Sequence, residues 1–298
     1  MRLCLAVRCG LSLSVYGATS SSAASLRDFI NFSDPSLPGR LYVPPQAATG
    51  PRPLIVFLHG AGESGSDNTA QVNGNIDNLL RAAKARGAYL YAPQTSIGWS
   101  SSTIIDRVMS MVERASMEQN VDELRLYATG LSMGGGGTWN IINRHGDQFA
   151  AAAPICAVLP ATGYSAANLA EVPTWAFHAK DDGTVSYTTT RSVVASMLST
   201  TGEALPAYPV RPTADFAFQS ATLDLRHTEY RTGGHGIWGR VYNTPAFYDW
   251  MFAHALVPEP SGLAIMFTTG LGLVGAGRRS IARRRRAEAV KSKTTKSS

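Results

Sequence analysis

The sequence predicts an α/β fold, with a mostly parallel central sheet and helices on both of its faces. Five short apolar runs have the length of buried strands: residues 54–58, 89–92, 124–128, 150–155 and 174–177. Residues 103–118 and 138–143 fall between these runs and have the character of helices. Near-continuous apolar strands that alternate with helices are typical of a parallel sheet covered on both sides.

The early elements are marked by clear ends and spacing. The strand at 54–58 ends at His59, and the strand at 89–92 ends at Pro93. Between residues 103 and 118, apolar side chains recur at intervals of three and four, which is the spacing of one helix face. These patterns indicate whether each element is a strand or a helix, as well as where it lies.

The later elements are less evenly marked. The strand at 124–128 runs into Gly130 and then into the helix around 138–143, and a terminal helix is predicted at about 244–255. Residues 202–227 contain three prolines and show the least pattern of any part of the body. We predict a loop or small insertion near the functional site there.

Net charge is distributed unevenly along the chain. Its 298 residues carry 27 Lys plus Arg and 21 Asp plus Glu, a net charge of +6. Nine of the basic residues lie in 278–298, whereas residues 25–257 hold 16 basic and 19 acidic residues. A mildly acidic body lacks the basic footprint of a nucleic-acid-binding protein, so no nucleic-acid partner is expected.

The N-terminus has the order of zones that a secretory leader needs. Two arginines are followed by an apolar stretch and then by small residues up to Ala24. Basic, apolar and small-residue zones in this order are typical of a signal peptide. We therefore predict a leader over residues 1–24 and an exported body over residues 25–257, the alternative being an ordinary N-terminus.

The C-terminus combines three features in order. Residues 257–260 read Val-Pro-Glu-Pro, a Gly- and Leu-rich stretch follows, and an arginine cluster begins at Arg278. No charged residue lies between Glu259 and Arg278, a stretch close to the span of about 20 residues that crosses a bilayer. Arginines directly after such a helix stay on the cytoplasmic side, which would place the body outside.

This tail resembles the PEP-CTERM sorting signal of exported bacterial proteins. The resemblance implies a sorting segment over residues 258–286, with a transmembrane helix at about 261–277, followed by a basic tail over 287–298. It implies a membrane peptidase, an exosortase, as a partner that processes the segment. The protein would be anchored in the membrane by this helix before processing and would end in the cell envelope or outside the cell.

One motif points to nucleophilic chemistry. Gly130-Leu131-Ser132-Met133-Gly134 matches the pattern G-x-S-x-G. The chemistry needs a strand, a sharp turn and a helix, so that the serine projects while a backbone N–H faces the reacting oxygen. The predicted strand and helix flank Ser132 in that order, and the alternative is a glycine-rich turn with an ordinary serine.

A second loop offers a partner for this turn. His59-Gly60-Ala61-Gly62-Glu63 follows the strand at 54–58. In serine hydrolases built on such a sheet, this loop and the residue after the nucleophile supply the backbone N–H groups of the oxyanion hole. We assign these groups to Ala61 and Met133, and we expect His59 to support the loop rather than to act as a base.

A nucleophilic serine also needs an acid and then a histidine further along the chain. The segment after the strand at 174–177 offers two carboxylates, Asp181 and Asp182, and a histidine, His178, that we expect to be structural. His235 lies between glycines in a loop before the terminal helix, as an exposed base should. The order Ser132, acid, His235 therefore fits a catalytic triad.

Together these segments resemble α/β-hydrolase esterases of the phospholipase/carboxylesterase-like, polyhydroxybutyrate-depolymerase-like and feruloyl-esterase-like group. The motifs that carry the resemblance are residues 53–63, 91–94, 125–135, 149–156, 178–185 and 234–238. The resemblance implies the α/β-hydrolase fold, with Ser132 as nucleophile, His235 as base and Asp182 as acid. Asp181 is the substitute for Asp182, and no metal or cofactor is implied.

The implied activity is hydrolysis of carboxylic esters through an acyl-serine intermediate. Esters of polymers, such as acylated polysaccharide or a polyester, are among the expected substrates. Trp99, Trp139 and Trp238 are candidates to flank the cleft, although core packing is expected for Trp139. A serine peptidase of the same fold and a non-catalytic surface module remain as alternatives.

Overall fold

In the computed structural model, which describes residues 26–257, the predicted strand segments join in one sheet. Its strands are β1 (Ile30–Asn31), β2 (Gly39–Tyr42), β3 (Arg52–Leu58), β4 (Tyr89–Pro93), β5 (Val121–Leu131), β6 (Ala151–Ile155), β7 (Thr174–Ala179), β8 (Phe216–Gln219) and β9 (Leu225–Tyr230). Their spatial order is β1-β2-β4-β3-β5-β6-β7-β9-β8. The strands from β4 to β9 pair in parallel, and β1, β2 and β8 pair antiparallel at the two edges. The prediction of a mostly parallel sheet is confirmed.

The connections between the strands contain the helices. Within the same residues these are α1 (Asp77–Arg86), α2 (Ser102–Glu118), α3 (Met133–His145), α4 (Ala166–Ala170), α5 (Thr188–Ser199), α6 (Trp238–Val241) and α7 (Pro245–Phe252). The helices predicted at 103–118 and around 138–143 correspond to α2 and α3, and the terminal helix corresponds to α7. Crossover connections between parallel strands are generally right-handed, and their helices pack against the faces of the sheet.

Side chains of β3 show that both faces of the sheet are buried. Leu54, Val56 and Leu58 point into one apolar core, and Ile55 and Phe57 point into the other. Each of the five is at most 1% exposed, so neither face of this strand contacts solvent. Burial on both sides explains why the strand reads as a continuous apolar run rather than as an alternating one.

The two cores are closed by different helices. The core around Leu54 contains Ile104 of α2, Trp139 of α3 and Val193 of α5. The opposite core contains Leu79 of α1 and, from α7, Phe247. The predicted placement of helices on both faces is therefore confirmed.

The loop predicted over residues 202–227 is wrong in part. Strand β8 lies inside this stretch at the edge of the sheet, and β9 begins at Leu225. Along β9, His227 and Glu229 are buried on the same face as Leu225. Two buried polar residues in a six-residue strand remove the apolar pattern from which a strand is predicted.

Both predicted address segments lie outside the described residues. This applies to the leader at 1–24, to the sorting segment at 258–286 with its helix at about 261–277, and to the basic tail at 287–298. None of the helices between residues 26 and 257 combines the length and apolarity of a membrane span.

His227 makes the stability of the fold sensitive to acid. Burial, together with the nearby positive charge of Arg191, lowers the pKa of His227 to about 3. The unfolded chain would bind a proton at this histidine below about pH 6.5. The contribution of His227 to the free energy of unfolding is therefore fully present above that pH and is lost as the pH falls toward the lowered pKa.

His227→Gln is expected to make the free energy of unfolding less dependent on pH, by up to about 1.4 kcal/mol per pH unit, because the amide does not titrate. Glutamine can also remain a partner for the Tyr208 hydroxyl, which lies 2.9 Å from His227 Nδ1. Denaturant unfolding of both proteins at several pH values between about 7 and 4 measures the two slopes. Equal slopes would contradict the prediction.

Candidate active site

Ser132 occupies the turn between β5 and α3. β5 ends at Leu131 and α3 begins at Met133, so one residue makes the whole connection. Its backbone has φ 56° and ψ −116°, outside the regions that are favourable for a residue with a Cβ. Such strain is concentrated at functional turns, and here it leaves Ser132 projecting from the carboxyl end of a central strand.

Two glycines of the motif are required by close backbone contact. A Cβ on Gly134 would lie 1.9 Å from the carbonyl oxygen of Leu58, and a Cβ on Gly130 would lie 2.3 Å from the carbonyl oxygen of Gly134. Only a residue without a side chain allows the start of α3 to approach β3 and β5 this closely. The pattern around Ser132 is therefore explained by packing as well as by the sharp turn.

The structure brings the three predicted triad residues together. Ser132 Oγ lies 2.8 Å from His235 Nε2, and His235 Nδ1 lies 2.7 Å from Asp182 Oδ2. The ionised Asp182 carboxylate can only accept, so Nδ1 carries the proton. In the neutral ring Nε2 then has the free lone pair, and the Ser132 hydroxyl donates to it.

Asp182 is held as an anion by donors on both of its oxygens. Oδ1 accepts from the backbone N–H groups of Thr184 (2.8 Å) and Val185 (2.9 Å), while Oδ2 faces His235. Burial alone would raise the pKa of this carboxyl, but the hydrogen bonds from His235, Val185 and Thr184 outweigh it and the pKa is lowered. Asp182 is therefore ionised at neutral pH.

His178 contacts the carboxylate of Asp182. Its Nε2 lies 3.0 Å from the carbonyl oxygen of Val185 and 3.2 Å from Asp182 Oδ2. The carbonyl can only accept, so Nε2 carries the proton, and Nδ1 accepts from the Thr190 hydroxyl at 2.8 Å. Burial lowers the pKa of His178, so the ring is neutral and acts as a donor rather than a cation. This agrees with the structural role expected from the sequence.

Asp181 has a different position from its neighbour. Its exposed carboxylate accepts from the backbone N–H groups of Gly233 (3.2 Å) and Gly234 (2.8 Å), just before His235. It therefore fastens the histidine loop without contacting the imidazole. The geometry places Asp182, and not Asp181, beside His235.

His59 stabilises the loop after β3. Thr95 N–H donates to His59 Nε2 at 3.1 Å, so Nδ1 carries the proton and donates to the Gly60 carbonyl at 2.7 Å. Burial lowers the pKa of His59. The indole N–H of Trp99 donates to the His59 carbonyl oxygen at 2.9 Å. This buried and neutral ring has the supporting place expected from the sequence.

Two backbone N–H groups flank the serine turn. Ala61 begins the 3-10 helix Ala61–Glu63 after β3, and Met133 is the first residue of α3. Within residues 26–257, neither N–H has a hydrogen-bond acceptor. The start of a helix also carries partial positive charge. Both predicted residues are therefore available to stabilise a developing oxyanion.

The tryptophans considered for the cleft have different positions. Trp99 and Trp139 are at most 1% exposed and belong to the core, so the expectation that Trp99 flanks the cleft is wrong. Trp238 is half-buried, and its ring lies 5.4 Å from that of His235 at an angle of 90°. Only Trp238 of these three lies beside the triad.

A buried thiol that sequence reasoning missed lies next to the triad. Cys156 follows β6 with φ 44°, and its sulfur lies within 4.8 Å of ligand atoms of both Asp182 and His235. Burial raises the pKa of Cys156, and the negative charge of Asp182 raises it further. The thiol is therefore protonated at neutral pH and is a poor metal ligand.

Solved structures identify this architecture. The crystal structure of a thermostable esterase matches at a TM-score of 0.64 and 31% identity, over 77% of this chain and 64% of that one. The chain has the α/β-hydrolase fold of such esterases. It spans slightly less than two thirds of the length of that thermostable esterase. No protein-family model matches the sequence, and no curated protein does.

More distant structures share the α/β-hydrolase fold alone. An acetyl xylan esterase from Aspergillus awamori matches at a TM-score of 0.54 and 15% identity, over 70% of this chain and 93% of that one. An acylaminoacyl peptidase from Pyrococcus horikoshii matches at 0.53 and 12%, over 80% of this chain and 44% of that one. The fold is therefore found with both ester and peptide chemistry.

Proposed function

We propose that the protein is a serine hydrolase that cleaves carboxylic esters through an acyl-serine intermediate. The observation that carries this proposal is the unbroken hydrogen-bond path from Asp182 through His235 to Ser132, which ends at a strained turn. The similarity to a thermostable esterase at 31% identity supports an ester as the substrate. Acylated polysaccharide and polyester are the polymer substrates we propose.

The acylation step follows from the tautomer of His235. Nε2 takes the proton of Ser132 while Oγ attacks the ester carbonyl, and Asp182 stabilises the imidazolium that forms. The N–H groups of Ala61 and Met133 would hold the negative oxygen of the tetrahedral intermediate. The C–O bond then breaks, the proton on Nε2 passes to the leaving alkoxide, and the alcohol departs.

Deacylation repeats these steps with water. His235 Nε2 removes a proton from the water molecule that attacks the acyl carbonyl, and the same N–H groups hold the second oxyanion. When this intermediate collapses, the proton returns to Ser132 Oγ and the carboxylic acid leaves. The proposed cycle consumes one water and restores the neutral His235.

The test compares the native chain with Ser132→Ala on acetyl, feruloyl and 3-hydroxybutyrate esters and with a fluorophosphonate probe. We expect the native chain to hydrolyse at least one of these ester classes and to be labelled at Ser132. The variant should do neither. Equal rates of hydrolysis by both proteins would contradict the proposal, and a native chain that neither hydrolyses nor is labelled would indicate a non-catalytic module.

A serine peptidase is the second candidate function. It is favoured by the shared fold of the acylaminoacyl peptidase from Pyrococcus horikoshii. Amides and esters of equal acyl group and size separate the two candidates. A higher kcat/KM on the amide would favour the peptidase.

A further inference from the structure

Trp238 is an aromatic side chain that packs against the His235 ring. The two rings are perpendicular, with centroids 5.4 Å apart. When Ser132 becomes acylated, His235 loses its hydrogen bond to Oγ, and its Nδ1 bond to Asp182 remains. Contact with the Trp238 ring would then be the second restraint on the imidazole, at the stage when it must aim at water.

Trp238 is itself held by the side chain of Asn75. The indole Nε1–H donates to Asn75 Oδ1 at 2.9 Å. Asn75 Nδ2 donates in turn to the Glu63 carboxylate at Oε1. The indole can only donate and the carboxylate can only accept, so the Asn75 amide fits this path in a single orientation.

Glu63 connects this path to the proposed oxyanion loop. It is the last residue of the 3-10 helix Ala61–Glu63, and its N–H donates to the Gly60 carbonyl at 3.2 Å. Its Oε2 lies close against Gly60, since a Cβ there would be 3.1 Å from that oxygen. The Glu63 carbonyl accepts from Gln94 Nε2 at 3.1 Å, which fixes the helix from the other side.

We propose that Trp238, Asn75 and Glu63 form a positioning relay that fixes the base His235 relative to the oxyanion donor Ala61. The three are positioning residues, because each is argued to act through its contacts with other side chains and with the proposed catalytic groups. The relay rests on the proposed function. It predicts that kcat depends on the donor and acceptor pattern at positions 63 and 75, whereas KM does not.

A second hydrogen bond joins the segments that carry Asn75 and Trp238, so variants of the relay are expected to fold. Asn78 Nδ2 donates to the Gly239 carbonyl at 3.1 Å, a separate bond between the same two segments. This bond involves neither the Asn75 side chain nor the Trp238 side chain. Loss of the relay should therefore alter geometry at His235 before it separates α6 from α1.

The decisive experiment reverses the direction of one hydrogen bond. Asn75→Asp places two carboxylates face to face, and we expect kcat to fall about tenfold to a hundredfold with KM changed by less than about threefold. Glu63→Gln alone should cost less than about threefold, because the introduced amide can still accept from Asn75. In the double variant, the amide at position 63 donates to the carboxylate at position 75, and kcat should recover to within about threefold of native.

Trp238→Phe keeps an aromatic ring beside His235 but loses the N–H and part of the indole, so we expect kcat to fall about tenfold. The matched control is Trp175→Phe. Trp175 lies near the start of β7, away from the triad, and it is also half-buried. Its Nε1 donates to Thr228 Oγ1 at 2.9 Å. We expect this control to change kcat by less than about twofold while costing similar thermal stability.

The outcomes separate the relay from the proposed function. Loss of kcat in Asn75→Asp with recovery in the double variant supports the relay. Loss no greater than that of Trp175→Phe, or no recovery, overturns the relay and leaves the esterase proposal intact. A native chain that shows neither ester hydrolysis nor fluorophosphonate labelling of Ser132 overturns both.

Discussion

Replacing Asp182 with asparagine is expected to lower kcat by roughly 10³- to 10⁴-fold. The same change at Asp181 is expected to cost less than about fivefold, because the Asp181 carboxylate accepts only exposed backbone N–H groups and an amide oxygen can replace one of its acceptors. The two carboxylates are adjacent in the chain and differ in what they contact. They therefore form a matched pair of variants.

The large effect follows from the donors around Asp182. The Thr184 and Val185 N–H groups require an oxygen at the Oδ1 position, so an introduced amide would place its NH₂ at the Oδ2 position. That NH₂ would face His235 Nδ1, which would have to accept and give up its proton. The proton would then sit on Nε2, where the lone pair for the Ser132 hydroxyl is needed.

Steady-state kinetics on one ester, with both asparagine variants and Ser132→Ala as the reference for full loss, measures these effects. Equal losses in the two asparagine variants would contradict the assignment of Asp182 as the acid.

Gly134→Ala is expected to destabilise the fold by about 3 kcal/mol or more. The added Cβ would lie 1.9 Å from the Leu58 carbonyl oxygen and 2.5 Å from the His59 carbonyl oxygen. Both atoms belong to backbone in or next to a central strand, so neither can rotate away as a flexible side chain would. The start of α3 would have to move, and Ser132 would move with it.

Gly239→Ala in α6 is the matched control. A Cβ at Gly239 would meet no atom within 4 Å. Alanine in a helix is favourable by up to about 1 kcal/mol relative to glycine, so this variant should be neutral or slightly more stable. Urea unfolding measures both, and a Gly134→Ala chain as stable as the Gly239→Ala chain would contradict the contact.

Sequence reasoning located the central strands and missed β9, and the difference has a physical reason. β3 and β5 are buried on both faces and have apolar side chains wherever the core requires them. β9 instead buries His227 and Glu229, and Glu229 is neutralised by Arg191, whose guanidinium nitrogens lie 2.6 and 2.7 Å from its carboxylate oxygens. Hydrophobicity alone does not identify a strand whose buried charge has a partner from another element.

Some features of the candidate site could likewise be predicted from the sequence, and others could not. The order of Ser132, the acid and His235 could be predicted because the strand ends fix which loops meet. The choice of Asp182 over Asp181 came from the family resemblance, because the order of the strand ends alone left both carboxylates open, and Asp182 Oδ2 is the one that lies 2.7 Å from His235 Nδ1. Asn75 gave no signal, since an asparagine in a loop is ordinary and its partner Trp238 is 163 residues away.

The two apolar faces of β3 also bear on how the site keeps its geometry. In a strand with one polar face, a slip of one residue exposes apolar side chains and is disfavoured by burial. β3 has no such preference, because it is apolar on both sides. A slip would shift the Leu58 carbonyl by about 3.3 Å, and the fit of Gly134 against that carbonyl would be lost. Backbone contact at Gly134 therefore adds a constraint on the pairing register of β3, which carries the loop that begins at His59.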